Sequence, residues 1–221
     1  LCGLFYPLNR MEYIALAWDI AVHLDKHLAA LLAQYGTWVY AILFLIVFAE
    51  TGFVVTPFLP GDSLLFVAGA LCGAGSMDLW LLNGTLIAAA ILGNSVNYSI
   101  GRYLGPKVFH WENSRFFNKA ALMKTHAFYE QHGGKTLVIT RFIPILRTFA
   151  PFVAGVGEMT YARFQAYNIG GAVLWVGSLS VAGYFFGNLP IIQNNLSLVI
   201  LAIIVVSTLP AAIAYLKHRR A

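Results

Sequence analysis

Four side chains in this 221-residue sequence carry charge where charge is hard to keep: Glu50, Asp62, Arg141 and Arg147. The two acids lie in ETGFVVTPFLPGDSLLFVAGA, residues 50–70. The two arginines lie in KTLVITRFIPILRTFAPFVAGVGEM, residues 135–159. Both stretches are otherwise almost wholly apolar. An ionisable group inside a membrane is expensive, so it marks a functional site by default. Arginine offers a planar, permanently charged fork that matches a phosphate group. A carboxylate in apolar surroundings holds its proton more readily than one in water, which suits it to proton exchange during a transport cycle. Two acids facing two bases would also neutralise one another, so a plain structural clamp is the competing reading.

The elements that must position these charges are broken helices. Pro57 has no N–H and biases Thr56 away from helical backbone, and Pro60-Gly61 adds a turn signal. Helical backbone is therefore expected to open near residues 56–62. Within a membrane, open backbone is tolerated only inside protein or against water. The expected arrangement is a re-entrant hairpin over about 37–75 with Glu50 and Asp62 near its tip. The second stretch repeats the theme, interrupted by Pro144 and Pro151, and predicts a second hairpin over about 135–159. Its FVAGV, residues 152–156, echoes FVAGA at 66–70. Pro57, Pro60, Gly61, Pro144 and Pro151 are the expected turn residues.

Composition places these hairpins in a bilayer. The chain is 59% hydrophobic and 10% charged, with a mean hydropathy of +0.73; this predicts an integral membrane protein. Spans are expected over 83–105, 163–187 and 193–216, the first two closing on Gly101-x3-Gly105-Pro106 and Gly183-x3-Gly187. Residues 12–35 read as an interfacial amphipathic helix whose polar face carries Asp19, His23, Lys26 and His27, and 106–134 as a second one. The Asp19/His23/His27 ladder is read as a solvated face and not as a metal site. Of the fourteen Lys and Arg residues, all but Arg10 and Lys26 lie at Arg102 or beyond. The positive-inside rule then puts 106–135 and the basic tail in the cytoplasm and 75–83 outside. The hairpins enter from opposite faces and their tips meet near the midplane, as in transporters with inverted halves.

The fold class predicted is thus an all-α polytopic membrane protein: two opposed re-entrant helical hairpins in an inverted repeat, plus transmembrane and interfacial helices. Residues 11–221 form a single domain. Residues 1–10 are expected to lie upstream of a natural start at Met11. Asn97, Tyr98 and Arg102 are candidates to line the same cavity as the four charges, although interhelical hydrogen bonding explains the first two and snorkelling the third. The five tryptophans, Trp18, Trp38, Trp80, Trp111 and Trp175, include candidate interface anchors and carry no functional argument. CxxC, HExxH and Walker A patterns are absent, and Cys2 and Cys72 form no framework. The expectation is no metal, no cofactor, no nucleic-acid partner and no enzyme activity, since paired His/Asp or Ser/His arrangements are missing. A homo-oligomer is compatible with the sequence.

A resemblance adds to this reading. Glu50-x-Gly52, Pro60-Gly61-Asp62-Ser63-Leu64, Gly93 with Asn97-Tyr98, Gly133-Gly134-Lys135 and Arg141-Phe142-x-Pro144-x2-Arg147-x3-Pro151-x3-Gly155 occur in order. Together they resemble the DedA family, also labelled SNARE-associated or VTT-domain proteins, from about Met11 to Arg220. The resemblance implies a lipid translocase of the bacterial inner membrane with a cytoplasmic C-terminus. The implied cargo is a phosphate-headgroup lipid, foremost undecaprenyl phosphate, moved at the expense of the proton-motive force. A phosphatidylethanolamine flippase or scramblase is the alternative, and a structural or assembly factor with an inert clamp the third. Its proton-coupling acids fall on Glu50 and Asp62 and its phosphate-binding arginines on Arg141 and Arg147. Many relatives carry Gly-Asp where this chain has Gly93-Asn94, so an acid at that position is missing here.

Overall fold

The structure is a computed structural model and describes residues 24–53, 61–109, 134–142, 144–157, 159–193, 195, 198–199 and 201–202. Every regular element among them is helical. In chain order they are α1 (Leu24–Tyr35), a 3-10 turn (Gly36–Trp38), α2 (Val39–Gly52), α3 (Gly61–Gly73) and α4 (Leu79–Phe109). Then come α5 (Lys135–Ile139), a 3-10 turn (Thr140–Phe142), α6 (Pro144–Val156), α7 (Tyr161–Phe186) and α8 (Pro190–Gln193).

The short helices are short for visible reasons. Gly36 has φ +53°, a left-handed conformation that interrupts the helical run between α1 and α2. Helix α2 stops where Phe53 turns extended, with φ −110° and ψ 124°. At 14 residues it is about 21 Å long, and the 13-residue α3 and α6 are about 20 Å each, well short of a ~30 Å hydrocarbon core. Asp62 sits in the first turn of α3, where its charge complements the helix dipole. Asp78 does the same service before α4, accepting from the Leu81 N–H at 2.7 Å, while its own N–H donates to the Tyr40 hydroxyl at 2.8 Å.

Two long helices organise the rest. The 31-residue α4 and the 26-residue α7 pack on each other, with α2 and α6 against α4 and with α3 and α5 against α7. The FVAG echo proves to be the crossing device. Gly69 of α3 rests on the backbone carbonyl of Ser180, and Gly183 of α7 on that of Phe66. In the second copy Gly155 of α6 rests on the carbonyl of Tyr98, and Gly101 of α4 on that of Phe152. Each pair leaves no room for a Cβ, the close backbone approach that small residues permit between membrane helices. Around these crossings lies a core in which Leu43, Val47, Leu65, Leu82, Leu86 and Val176 are fully buried.

Three stretches are long and apolar enough to cross a membrane: Lys26–Gly52, Leu79–Leu104 and Tyr161–Phe186. The second and third match the expected spans. The first does not, because 12–35 was read as interfacial and residues 37 onward as a hairpin arm; Gly36 divides that stretch without shortening its apolar run. Helix α4 also runs through Pro106 to Phe109, against the expected stop at Gly105-Pro106. A proline inside a helix forfeits the bond to the residue four before it and crowds that residue's carbonyl, a cost that membrane helices tolerate where neighbours take up the freed groups. The same holds for Pro151, which lies inside α6 and does not mark a turn. Pro144 opens α6, a position where its missing N–H is no loss. Pro57 and Pro60, the 12–23 part of the first amphipathic helix with Asp19 and His23, residues 110–133 and most of the 193–216 span lie outside the described residues.

Candidate functional site

The joint between α2, α3 and α6 is built around one guanidinium. Arg147, in the first turn of α6, is 3% exposed and directs its fork at two carboxylates from two other helices. One terminal nitrogen donates to Oδ1 of Asp62 at 2.7 Å, and the other pairs with Oε1 of Glu50. Glu50, two residues before the end of α2, is fully buried. The backbone of Gly61 abuts the Glu50 carboxylate so closely that a side chain at 61 would overlap it. Gly61 therefore serves the clamp directly, in addition to opening α3.

Trp175 completes the site. Its indole N–H donates to Oδ1 of Asp62 at 2.9 Å, and its ring lies 4.7 Å from the guanidinium carbon of Arg147, a cation–π contact. It is fully buried, so it is not among the interface anchors. Trp38 and Trp80, at 73% and 85% exposed, do suit that role. The signal was available: Trp175 lies in the middle of the 161–186 run, where no interface residue can sit.

Arg141 is placed differently from the expectation of two acids facing two bases. It is buried on the turn before α6, and both its hydrogen bonds go to Asn168, at 3.0 Å to the backbone carbonyl and 2.5 Å to the side-chain oxygen. Arg147 alone takes both acids. Asn168, which sequence reasoning passed over, is the hub of a second cluster: its side-chain oxygen also accepts from Asn94 at 3.0 Å. Its amide donates to the Ile91 carbonyl at 3.1 Å and to Gln165 at 3.0 Å.

Two of the three cavity candidates, Asn97 and Tyr98, tie α4 to neighbouring segments. The Asn97 amide donates to the Thr51 carbonyl at 3.2 Å and to the Thr148 carbonyl at 2.7 Å, tying the end of α2 to α6 through α4. Thr51 is the last residue but one of its helix, so its carbonyl is among those left without an intrahelical partner. The Tyr98 hydroxyl donates to the Met159 carbonyl, and its ring stacks on Phe164 with centroids 4.3 Å apart. Arg102 is exposed and donates to the Tyr98 hydroxyl at 3.1 Å, apart from the buried charges.

The comparisons decide the family. The VTT domain family matches residues 59–185, which takes in Asp62, Arg141, Arg147, Asn168 and Trp175. The protein DedA of Escherichia coli K12 is 57% identical over 213 residues, covering 96% of this chain and 97% of that protein. The chain belongs to the DedA family of VTT-domain membrane proteins. Other relatives in the family include the uncharacterized membrane protein ML0287 of Mycobacterium leprae, 46% identical over 169 residues, 76% of each chain. The inner membrane protein YghB of E. coli K12 is 33% identical over 191 residues, 83% of this chain and 82% of that one. No solved structure matches the chain. In this DedA-family chain α2, α3 and α6 thus bring Glu50 and Asp62 onto one buried arginine, while a second buried arginine is held by Asn168.

Proposed function

We propose that this DedA-family protein is a translocase for a phosphate-headgroup lipid, foremost undecaprenyl phosphate, in a bacterial inner membrane. The observation that carries the reading is the buried Arg147 fork shared by Glu50 and Asp62 where three short helices meet. A buried ion triad contributes little to stability compared with apolar packing, which argues for another use. Protonating either acid removes one of the two charges that hold Arg147 and leaves the fork free to turn to an anion. A phosphate offers the geometry that the fork has lost. The cycle then exchanges protons on Glu50 and Asp62 for a headgroup on the arginines, while the prenyl chain stays in the bilayer. No bond in the lipid is made or broken, and no cofactor is called for.

Three features support two opposed re-entrant hairpins. Helices α2, α3 and α6 are each too short to cross. The end of α2 and the start of α3 meet at Arg147, whereas the start of α2 and the segment after α3 meet at Tyr40 and Asp78. The two FVAG segments make equivalent crossings, each on the long helix of the other half. With the basic segments in the cytoplasm, the first hairpin enters from outside and the second from inside.

The test is translocation of a fluorescent polyprenyl phosphate between leaflets of proteoliposomes, beside a fluorescent phosphatidylethanolamine. Preferential movement of the polyprenyl phosphate is the expected result. Equal movement of both would make the protein a scramblase, and movement of neither in folded protein would reduce the site to a clamp.

A further inference from the structure

Arg141 is a buried cation held by a neutral side chain. Among the described residues no carboxylate reaches it, and the charge that acts on it is the like charge of Arg147. Asn168 takes one of its terminal nitrogens; the other, Nη1, is buried with no partner among the described residues. The side-chain oxygen of Asn94, whose amide N–H donates to the same Asn168, is likewise buried with no partner among the described residues. A guanidinium with a free donor and no counter-ion is costly to hold unless an anion visits it.

A polar row leads from that guanidinium to the lipid-facing side of α4. Asn168 donates to Gln165 at 3.0 Å, and Gln165 donates to the Ser95 hydroxyl at 2.7 Å. Ser95 in turn lines a groove of about 600 Å³ on α4, together with Ser99, Tyr103 and the apolar side chains of Phe48, Leu92, Val96 and Ile100. The groove is mostly apolar, and from its Ser95 a polar link runs inward to Arg141. That combination fits a lipid whose hydrocarbon chain lies along α4 and whose anionic head reaches inward.

Resting on the phosphate-lipid reading above, we infer that the two arginines divide the work. Arg141, oriented by Asn168, receives the phosphate monoester of a lipid that enters sideways, with its chain in the Phe48–Val96 groove and its head passed along Ser95 and Gln165. Arg147 is the clamp and engages later, once its acids let go. Asn168 is a positioning residue: it aims the guanidinium and, being neutral, leaves its charge available.

The neutrality of Asn168 supplies the test. Asn168→Asp keeps the shape and gives Arg141 a counter-ion. Binding of radiolabelled farnesyl phosphate to the full chain in detergent is measured beside thermal stability, with farnesol and inorganic phosphate as competitors. The wild-type protein is expected to bind farnesyl phosphate at least tenfold better than either competitor. Asn168→Asp loses the two bonds its amide donates to Ile91 and Gln165 and gains an ion pair with Arg141, so it should remain folded and bind at least tenfold more weakly. Val96→Trp, which fills the groove and leaves Arg141 and Asn168 in place, should weaken farnesyl phosphate to a similar degree and leave inorganic phosphate unchanged. Wild-type affinity in Asn168→Asp would overturn the role of Arg141 and leave the phosphate-lipid reading standing. Wild-type affinity in Val96→Trp would overturn the lateral groove. If inorganic phosphate binds as well as farnesyl phosphate, the site serves a free anion and the lipid entry falls. Absence of farnesyl phosphate binding in the wild type would overturn both readings together.

Discussion

Replacing Trp175 with Phe removes one hydrogen bond of the clamp and keeps a ring beneath Arg147. The lost bond goes to a charged acceptor, and such bonds contribute about 1.5–3 kcal/mol. The expected outcome is a measurably lower melting temperature in detergent with the ion triad still assembled; an unchanged melting temperature would show that Asp62 is satisfied without the indole. Arg147→Lys is the sharper change. An ammonium is a point charge and cannot hold two carboxylates in one planar fork. Lipid transport should fall at least tenfold at wild-type expression, and full activity would remove Arg147 from headgroup recognition. At this scale the sequence is legible where charge is involved. Glu50, Asp62, Arg141 and Arg147 stand out because a bilayer makes each of them conspicuous. Which arginine pairs with which acid is not legible, since that depends on how α6 rotates against α2 and α3. Asn168 escaped notice for a related reason: an uncharged amide in an apolar run reads as an ordinary interhelical bond until its partner is seen to be a buried arginine.

At the scale of helices, the glycines divide into two groups with opposite expectations. Gly69, Gly101, Gly155 and Gly183 lie against backbone carbonyls of neighbouring helices, whereas Gly84, Gly170 and Gly177 have open space where a Cβ would go. Alanine at any of the first four must push two helices apart, an overpacking penalty of about 1–3 kcal/mol. Alanine at the other three should be neutral or gain up to ~1 kcal/mol in helix propensity. Thermal stability of the seven single variants checks this, and a uniform response would dissolve the argument that the FVAG segments are crossing devices. The echo between 66–69 and 152–155 was visible in the sequence, yet its meaning was not. Similar segments can pack on each other or on third parties, and here each packs on the long helix of the other half. Helix ends were less legible. Residue types alone do not show that α2 stops at Gly52, or that α4 and α6 absorb Pro106 and Pro151. Those outcomes depend on whether neighbours such as Asn97 take up the backbone groups set free.

At the scale of the whole molecule, sidedness follows from the Lys and Arg distribution. Ser76→Cys, in the turn after α3, should react with an impermeant thiol reagent added outside spheroplasts, and Asn118→Cys should not. Outside labelling of Asn118→Cys would invert the layout and with it the faces from which the hairpins enter. That the chain is helical and belongs in a membrane was readable from composition and run length alone, because a bilayer admits few solutions to the backbone's hydrogen bonds. The central claim, that the Glu50–Arg147–Asp62 triad opens on protonation to let a phosphate lipid through, calls for one comparison. Wild-type and Glu50→Gln proteins are reconstituted in liposomes, and polyprenyl phosphate translocation is measured with and without an imposed pH gradient, with thermal stability read from the same preparations. Gln keeps the shape of Glu50 and cannot change charge. The account predicts a folded Glu50→Gln protein that is inactive or indifferent to the gradient. A folded variant that transports with the wild-type response to pH would contradict it.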